Sequence, residues 1–180
     1  RMIVPVLKRL IDDDYMIEER MMLDAEVLRQ GESIYGGVAL NEVLLTRFNS
    51  LRTLNFQVYV NDTMLNEYSA DGILAATPTG STAYSLSAGG PIADPKAKMI
   101  ILTPICSHTI NSRSIIFSPN DRIKIVAGSS EQLVACDGES VLSLERGDVI
   151  SIRMSEHVAR FIRLKEESFL HTLRQKMAYV

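Results

Sequence analysis

Between Tyr15 and Val27 the apolar side chains take alternate positions. Tyr15, Ile17, Met21, Leu23, Ala25 and Val27 fall on one face, Glu18, Arg20, Asp24 and Glu26 on the other, and Glu19 breaks the apolar row. A helix would collect its apolar residues at spacings of three and four, whereas alternation lines one face of an extended strand. The stretch therefore reads as a long, half-buried antiparallel strand. Leu54, Phe56, Val58 and Val60 repeat the pattern against Asn55, Gln57, Tyr59 and Asn61. Met99–Leu102, Ser114–Phe117, Asp121–Ala127, Leu133–Cys136, Val149–Met154 and His157–Leu164 add short strand-like runs, punctuated by Pro119-Asn120, Gly128-Ser129-Ser130 and Gly147-Asp148. Strands at this spacing predict a mostly β (α+β) chain built as two packed, largely antiparallel sheets. Few short helices are expected. Ile3, Val6, Leu7, Leu10 and Ile11 follow helical spacing, and Phe169, Leu170, Leu173 and Met177 give a closing helix over 169–177.

The 180 residues fit a single domain, 1–180, with enough chain for a sizeable core. A net charge of −3 gives no sign of a nucleic-acid partner or an anionic membrane. No apolar run approaches the ~20 residues that span a bilayer. Cys106 and Cys136 form no CxxC pair, and His108, His157 and His171 are scattered, so no metal site is proposed. Two small core thiols in a reducing cytoplasm account for the cysteines.

Residues 71–91 stand apart. Ile73–Ala76 is a short apolar run bounded by breakers, and reads as a buried strand. Thr77-Pro78-Thr79-Gly80 is a turn, Ser81 or Thr82 can cap a helix, and that helix would run to about Ala88 before Gly89-Gly90-Pro91 ends it. A strand, a loop of small polar residues and a helix N-terminus let a ligand approach the backbone closely and favour electronegative groups. Tyr84 offers a ring or a hydroxyl, and Asp71 can accept bonds from sugar hydroxyls. An ordinary capped helix after a turn fits the same residues.

The segment Ile34–Phe48 reads as a second strand, interrupted by Gly36-Gly37 and by the polar pair Asn41-Glu42. Neighbouring strand positions face opposite ways, so one of the pair points into packed protein or a pocket and needs a partner there. A bulge with a solvated Glu is the other reading. Asp137-Gly138 after Val134-Ala135-Cys136 is by default a hairpin turn.

Asp71-Gly72 with Thr77-Pro-Thr-Gly-Ser-Thr-Ala-Tyr-Ser-Leu-Ser-Ala-Gly-Gly-Pro91 closely resembles the C-terminal domain of the bacterial NAD kinases. The likeness extends to Ile17–Met21, Leu40–Val43, Leu102–Thr109 and Asp137-Gly138, and keeps the family's order along essentially the whole chain. It implies a domain that binds NAD and oligomerises, as a homodimer or homotetramer, within a cytoplasmic enzyme. That enzyme phosphorylates the 2′-hydroxyl of the adenosine ribose of NAD to give NADP, using ATP with Mg²⁺ or another divalent cation.

By the same resemblance, the nucleotide-binding positions are Asn41, Glu42, Asp71, Thr82, Ala83, Tyr84, Ser85, Leu86, Ser87, Cys106, His108 and Asp137. Cys106 and His108 would lie along the nicotinamide side. The chemistry of His108 admits a general base as well as a positioning or packing role. Asp137 would belong to the nicotinamide end, often supplied by a neighbouring subunit. Glu139 stands where the family commonly has Gln.

The family's Gly-Gly-Asp-Gly loop, which handles the ATP phosphates and carries the catalytic acid, does not occur here. Gly36-Gly37 is followed by Val, and Gly89-Gly90 by Pro. The expectation is that this loop belongs to an N-terminal domain absent from the chain, that no catalytic residue lies here, and that the 180 residues alone are inactive. Two rival readings remain. One is a non-catalytic nucleotide-binding or assembly module with the same fold. The other is a related lipid kinase, against which stand Asn41-Glu42 and the Thr82–Ser87 pattern.

Overall fold

The computed structural model describes residues 3–48, 52–107, 113–129, 132–165 and 168–177. Within them, strands form two six-stranded sheets in which every pairing is antiparallel. The first sheet contains β1 (Met16–Arg29), β2 (Glu32–Ala39), β4 (Leu54–Val60), β5 (Thr63–Ala70), β9 (Ile123–Ala127) and β12 (Val149–Arg163), in the order β2-β1-β12-β9-β4-β5. The second contains β3 (Glu42–Arg47), β6 (Gly72–Ala76), β7 (Ile100–Ile105), β8 (Ile115–Phe117), β10 (Gln132–Cys136) and β11 (Glu139–Leu144), in the order β11-β10-β3-β6-β7-β8. Helices α1 (Ile3–Ile11), α2 (Tyr84–Ser87) and α3 (Phe169–Met177) are short, as expected. No helix among the described residues is long and apolar enough to cross a membrane.

The alternation of β1 has the predicted outcome over its second half, where Met21, Leu23, Ala25 and Val27 are buried. They meet Val43 and Leu45 of β3, Phe56 and Val58 of β4, and Ile150 and Ile152 of β12 in one core between the sheets. Phe56 and Tyr68 stack within it at 5.7 Å. In its first half the other face is the covered one. Ile17 is 59% exposed, while Arg20 is only 7% exposed, under the Phe161 ring and beside Thr79.

A second cluster explains why β6 and β7 do not alternate. Leu74, Ala76, Ala93, Ile101 and Ile105 pack on the far face of the second sheet with Ala88 and Met99. Both faces of these two strands are thus covered, and Ile73–Ala76 and Ile100–Leu102 read as unbroken apolar runs.

Several expectations need correction. The segment 34–48 is two strands in different sheets, because the chain leaves β2 at Ala39 and joins β3 at Glu42. The runs 149–154 and 157–164 are one strand, β12. Its extra residues are absorbed where Met21 faces Val158 but Leu23 faces Met154, and the His157 N–H turns onto the Ser155 hydroxyl at 3.1 Å. Finally, β7 continues through Pro104. Its partner β8 pairs only with Ile100–Leu102, so no described strand on that side requires the N–H that proline lacks. Strand β11 escaped the periodicity altogether, and Leu170 of α3 is 70% exposed rather than on the packed face.

Candidate functional site

The chain passes between the sheets at several corners, and two of them carry predicted site residues. At the first, Leu40-Asn41 joins β2 to β3. At the second, Asp71 alone joins β5 to β6.

The first corner is bound from both sides. From the β10–β11 hairpin, the Asp137 carboxylate accepts the backbone N–H groups of Leu40 (2.7 Å), Asn41 (2.7 Å) and Glu42 (3.1 Å). From the loop after β6, Thr77 donates its hydroxyl to the Leu40 carbonyl at 2.6 Å and its N–H to the Asn41 carbonyl at 2.8 Å. The same hydroxyl accepts the Gly80 N–H at 3.0 Å. A Cβ on Gly80 would lie 2.1 Å from the Asn41 carbonyl oxygen, so only glycine allows this approach. The predicted turn Asp137-Gly138 is confirmed, with both residues at positive φ.

Glu42 is the member of the polar pair that points inward. It is 6% exposed and its Oε2 has no partner among the described residues, while Asn41 is half-buried. Burial pushes the Glu42 carboxyl above the ordinary range, and the Asp137 charge pushes it further. Such a group costs free energy until a donor reaches it.

The loop beyond Thr77 departs from the expected helix. Gly80–Thr82 is a 3₁₀ turn, Ala83 breaks the chain at φ −98° and ψ −129°, and α2 is one turn long. Ser81 does not cap it. Its buried hydroxyl instead donates to the Pro78 carbonyl and accepts the Ala93 N–H, clipping the loop to the segment that follows α2. The single turn of α2 has no side-chain cap at its N-terminus. The expected stop is present: Gly89 has φ +86°, the Gly90 N–H bonds to the Ser85 carbonyl, and the Gly89 N–H to that of Leu86.

Along this loop Thr82, Tyr84, Leu86 and Ser87 are exposed and Ala83 is half-buried. Ser85 faces inward, fully buried under Gly90, where an added Cβ would meet its Oγ at 2.4 Å. Thr79 and Thr82 line a cleft of about 260 Å³ with Arg20, Lys96, Phe169 and Leu173. A larger cleft of about 520 Å³ lies on the first sheet around Asp24, Gly36, Arg153 and His157, and contains none of the predicted residues.

The second corner lies at the other end of β6, roughly 17 Å from the first for five residues of strand. There Asp71 pairs with Arg47 at 3.1 Å, and its N–H bonds to the Ile105 carbonyl beside Cys106, which at φ +46° is exposed; of the two expected core thiols only Cys136 is buried. So Asn41, Glu42, Asp137 and the 77–87 loop come together, whereas Asp71 and Cys106 form a separate group. His108 lies outside the described residues. Sequence reasoning missed Thr77, Gly80 and Arg47 as structural partners. Nothing local in Glu42–Arg47 pairs Arg47 with Asp71, and close loop packing has no signal in the sequence. The described residues contain no cluster of three or more His, Cys, Asp or Glu able to hold a metal ion.

Residues 40–164 match the model of the ATP-NAD kinase C-terminal domain. The chain belongs to that family. Its ATP-NAD kinase C-terminal fold aligns with the crystal structure of yeast NADH kinase complexed with NADH at a TM-score of 0.92 and 29% identity. That match covers 99% of this chain and 53% of the yeast one. Among curated relatives, the NAD kinase of Lachnospira eligens is 46% identical over 95% of this chain and 64% of its own length. That of Caldanaerobacter subterraneus subsp. tengcongensis is 42% identical over 96% and 62%. The chain thus spans less than two thirds of these relatives. The resemblance carried by Asp71–Pro91 and the two-sheet fold predicted from the strand spacing are both borne out.

Proposed function

We propose that this chain is the dinucleotide-binding domain of an NAD kinase, and that the corner formed by Asn41, Glu42 and the 77–87 loop receives the nucleotide. The observation that carries this reading is the buried Glu42 carboxylate, whose Oε2 lacks a donor among the described residues while the backbone N–H and C=O of Glu42 are both bonded to Asp137. A ribose hydroxyl or an adenine amino group is a donor of the right chemistry. Asn41, with its side-chain amide, can both donate and accept. Exposed Tyr84 supplies a ring face for a base, and Thr82 and Ser87 supply hydroxyls. Ala83 and Leu86 would contribute backbone and apolar contact. Ser85 would act through its backbone alone.

In the whole enzyme ATP, with a divalent cation, donates a phosphoryl group to the 2′-hydroxyl and NADP results. This chain's part is binding and orientation, which form most of the catalytic task in phosphoryl transfer. We assign it no metal ligand and no step through a metal. The triphosphate-handling loop belongs to an N-terminal domain, so the 180 residues alone form no NADP. Asp71 and Cys106, at the other corner, serve the nicotinamide end or a homo-oligomer contact. The free thiols Cys106 and Cys136 fit a cytoplasmic protein.

Calorimetric titration of NAD into the chain tests this reading, beside Asn41→Ala and Glu42→Gln. Saturable binding weakened about tenfold or more in each variant is expected, since a lost hydrogen bond to a charged group is worth ~1.5–3 kcal/mol. Absence of binding by the folded chain, or equal binding by all three proteins, contradicts it.

A further inference from the structure

Leu40 and Asn41 have left the β2 ladder and have not joined that of β3, so their amides have no strand to bond. Asp137 takes the place of one. It occupies the first position of the β10–β11 turn at φ +49°, with Gly138 at +82°, and its own N–H bonds to the Glu42 carbonyl at 3.1 Å. That anchor, continuing the pairing of Cys136 with Val43, holds the carboxylate over three successive amides. Oδ1 takes the N–H groups of Asn41 and Glu42, and Oδ2 that of Leu40. Thr77 secures the carbonyls of the same segment from the opposite side.

We propose that Asp137 is a positioning residue: it acts on the dinucleotide through Asn41 and Glu42, by fixing their backbone and by setting a fixed negative charge beside the Glu42 carboxylate. The proposal rests on the dinucleotide reading above and deepens it. Charge-assisted bonds from backbone amides are among the stronger hydrogen bonds, and three of them converge on one carboxylate. The second effect follows from placement. Asp137 is the charge that acts on Glu42, adding to the upward push of burial. The neighbouring positions carry no cation: Ala76 pairs with Glu42 from β6, Thr77 lies beyond it, and Cys136 on β10 is a thiol itself pushed up by burial. Asp137 therefore keeps Glu42 an eager acceptor, one whose ionised form gains more from a ligand's donor.

Two variants separate these effects while sparing the turn, because Gly and Asn both tolerate positive φ. Asp137→Gly removes the acceptor, and Asp137→Asn removes the charge while keeping one acceptor oxygen. The measurements are amide hydrogen exchange at residues 40–42, the carbon-13 titration of the Glu42 carboxyl, and the pH dependence of NAD affinity. In Asp137→Gly, exchange at the three amides should rise about tenfold or more with the centre of the second sheet unchanged, and NAD affinity should fall about tenfold. In Asp137→Asn the Glu42 midpoint should move to lower pH, and the affinity-against-pH curve should move with it.

Unchanged exchange and an unchanged Glu42 midpoint overturn the proposal. So does a loss of NAD affinity without either change, which would make Asp137 a direct ligand contact. If the parent chain binds no NAD while exchange and titration respond as stated, the dinucleotide reading fails and the positioning of the corner by Asp137 stands.

Discussion

The Thr77 hydroxyl donates to the Leu40 carbonyl at 2.6 Å, joining the loop after β6 to the place where the chain changes sheets. That one bond, with the Gly80 N–H donating to the Thr77 hydroxyl at 3.0 Å, makes the loop and the corner a single unit. Thr77 and Gly80 are buried and Leu40 is half-buried, so removing the hydroxyl strands the Gly80 N–H away from water.

Thr77→Val should therefore cost about 1–3 kcal/mol, the penalty for stranding buried polar groups, and Thr77→Ser much less. Urea unfolding of the two variants checks this. A Val variant as stable as the parent would show that the loop is not tied to the corner in this way.

Gly80→Ala and Gly36→Ala form a contrast. The first places a Cβ 2.1 Å from a backbone oxygen, while the second meets open space. Gly80→Ala should lose roughly 1–3 kcal/mol by overpacking and weaken NAD binding through displaced Asn41. Gly36→Ala should stay within about 1 kcal/mol of the parent. Thermal unfolding and NAD titration of both read the difference.

Glu42→Gln should stabilise the fold as it damages the site. Burial and the Asp137 charge raise the carboxyl above its unfolded value. The folded state then binds more protons than the unfolded state between the unfolded and the raised pKa, so this group's contribution to stability falls as pH rises through that window. Replacing it with a neutral isostere removes the loss. Denaturant midpoints at pH 8 should favour the Gln variant more than those near pH 4, while NAD affinity at pH 8 moves the other way.

Asp148 titrates with the opposite sign. It is 2% exposed and, although burial alone would raise it, the bidentate Arg29 and the Glu145 N–H hold its carboxyl below the ordinary range. Its stabilising contribution is present above the unfolded pKa of about 4 and is lost as pH falls through the lower folded value. Asp148→Asn should cost about 1–3 kcal/mol at pH 7, and less as the parent is acidified. Unfolding curves between pH 3 and 7 check both statements.

Much of this architecture was legible because alternation maps directly onto sheet faces. Leu54–Val60 and the second half of Tyr15–Val27 behave as the pattern dictates. The motif 77–91 pointed to the family, and Asn41-Glu42 to an inward polar side chain, before any geometry was known. What stayed hidden depends on partners distant in sequence. Nothing local in Ile34–Phe48 says that the chain changes sheets at Leu40-Asn41, since that follows from which strands β2 and β3 find. Ser81 looks like a helix cap because Ser caps helices, yet its hydroxyl is taken by Pro78 and Ala93. Asp137 looks like a turn residue and is one, but its carboxylate reaches a segment nearly a hundred residues away. The separation of Asp71 from Glu42 along β6 is likewise a property of register.

The most direct test of the central claim is a nitrogen-15 NMR titration of the chain with NAD, following every backbone amide. Saturable shifts are expected at residues 40–42 and along 77–87, with none around Asp24, Gly36 and Arg153 on the first sheet. Shifts centred on that first-sheet cleft, or no saturable shift from a folded chain, would contradict it.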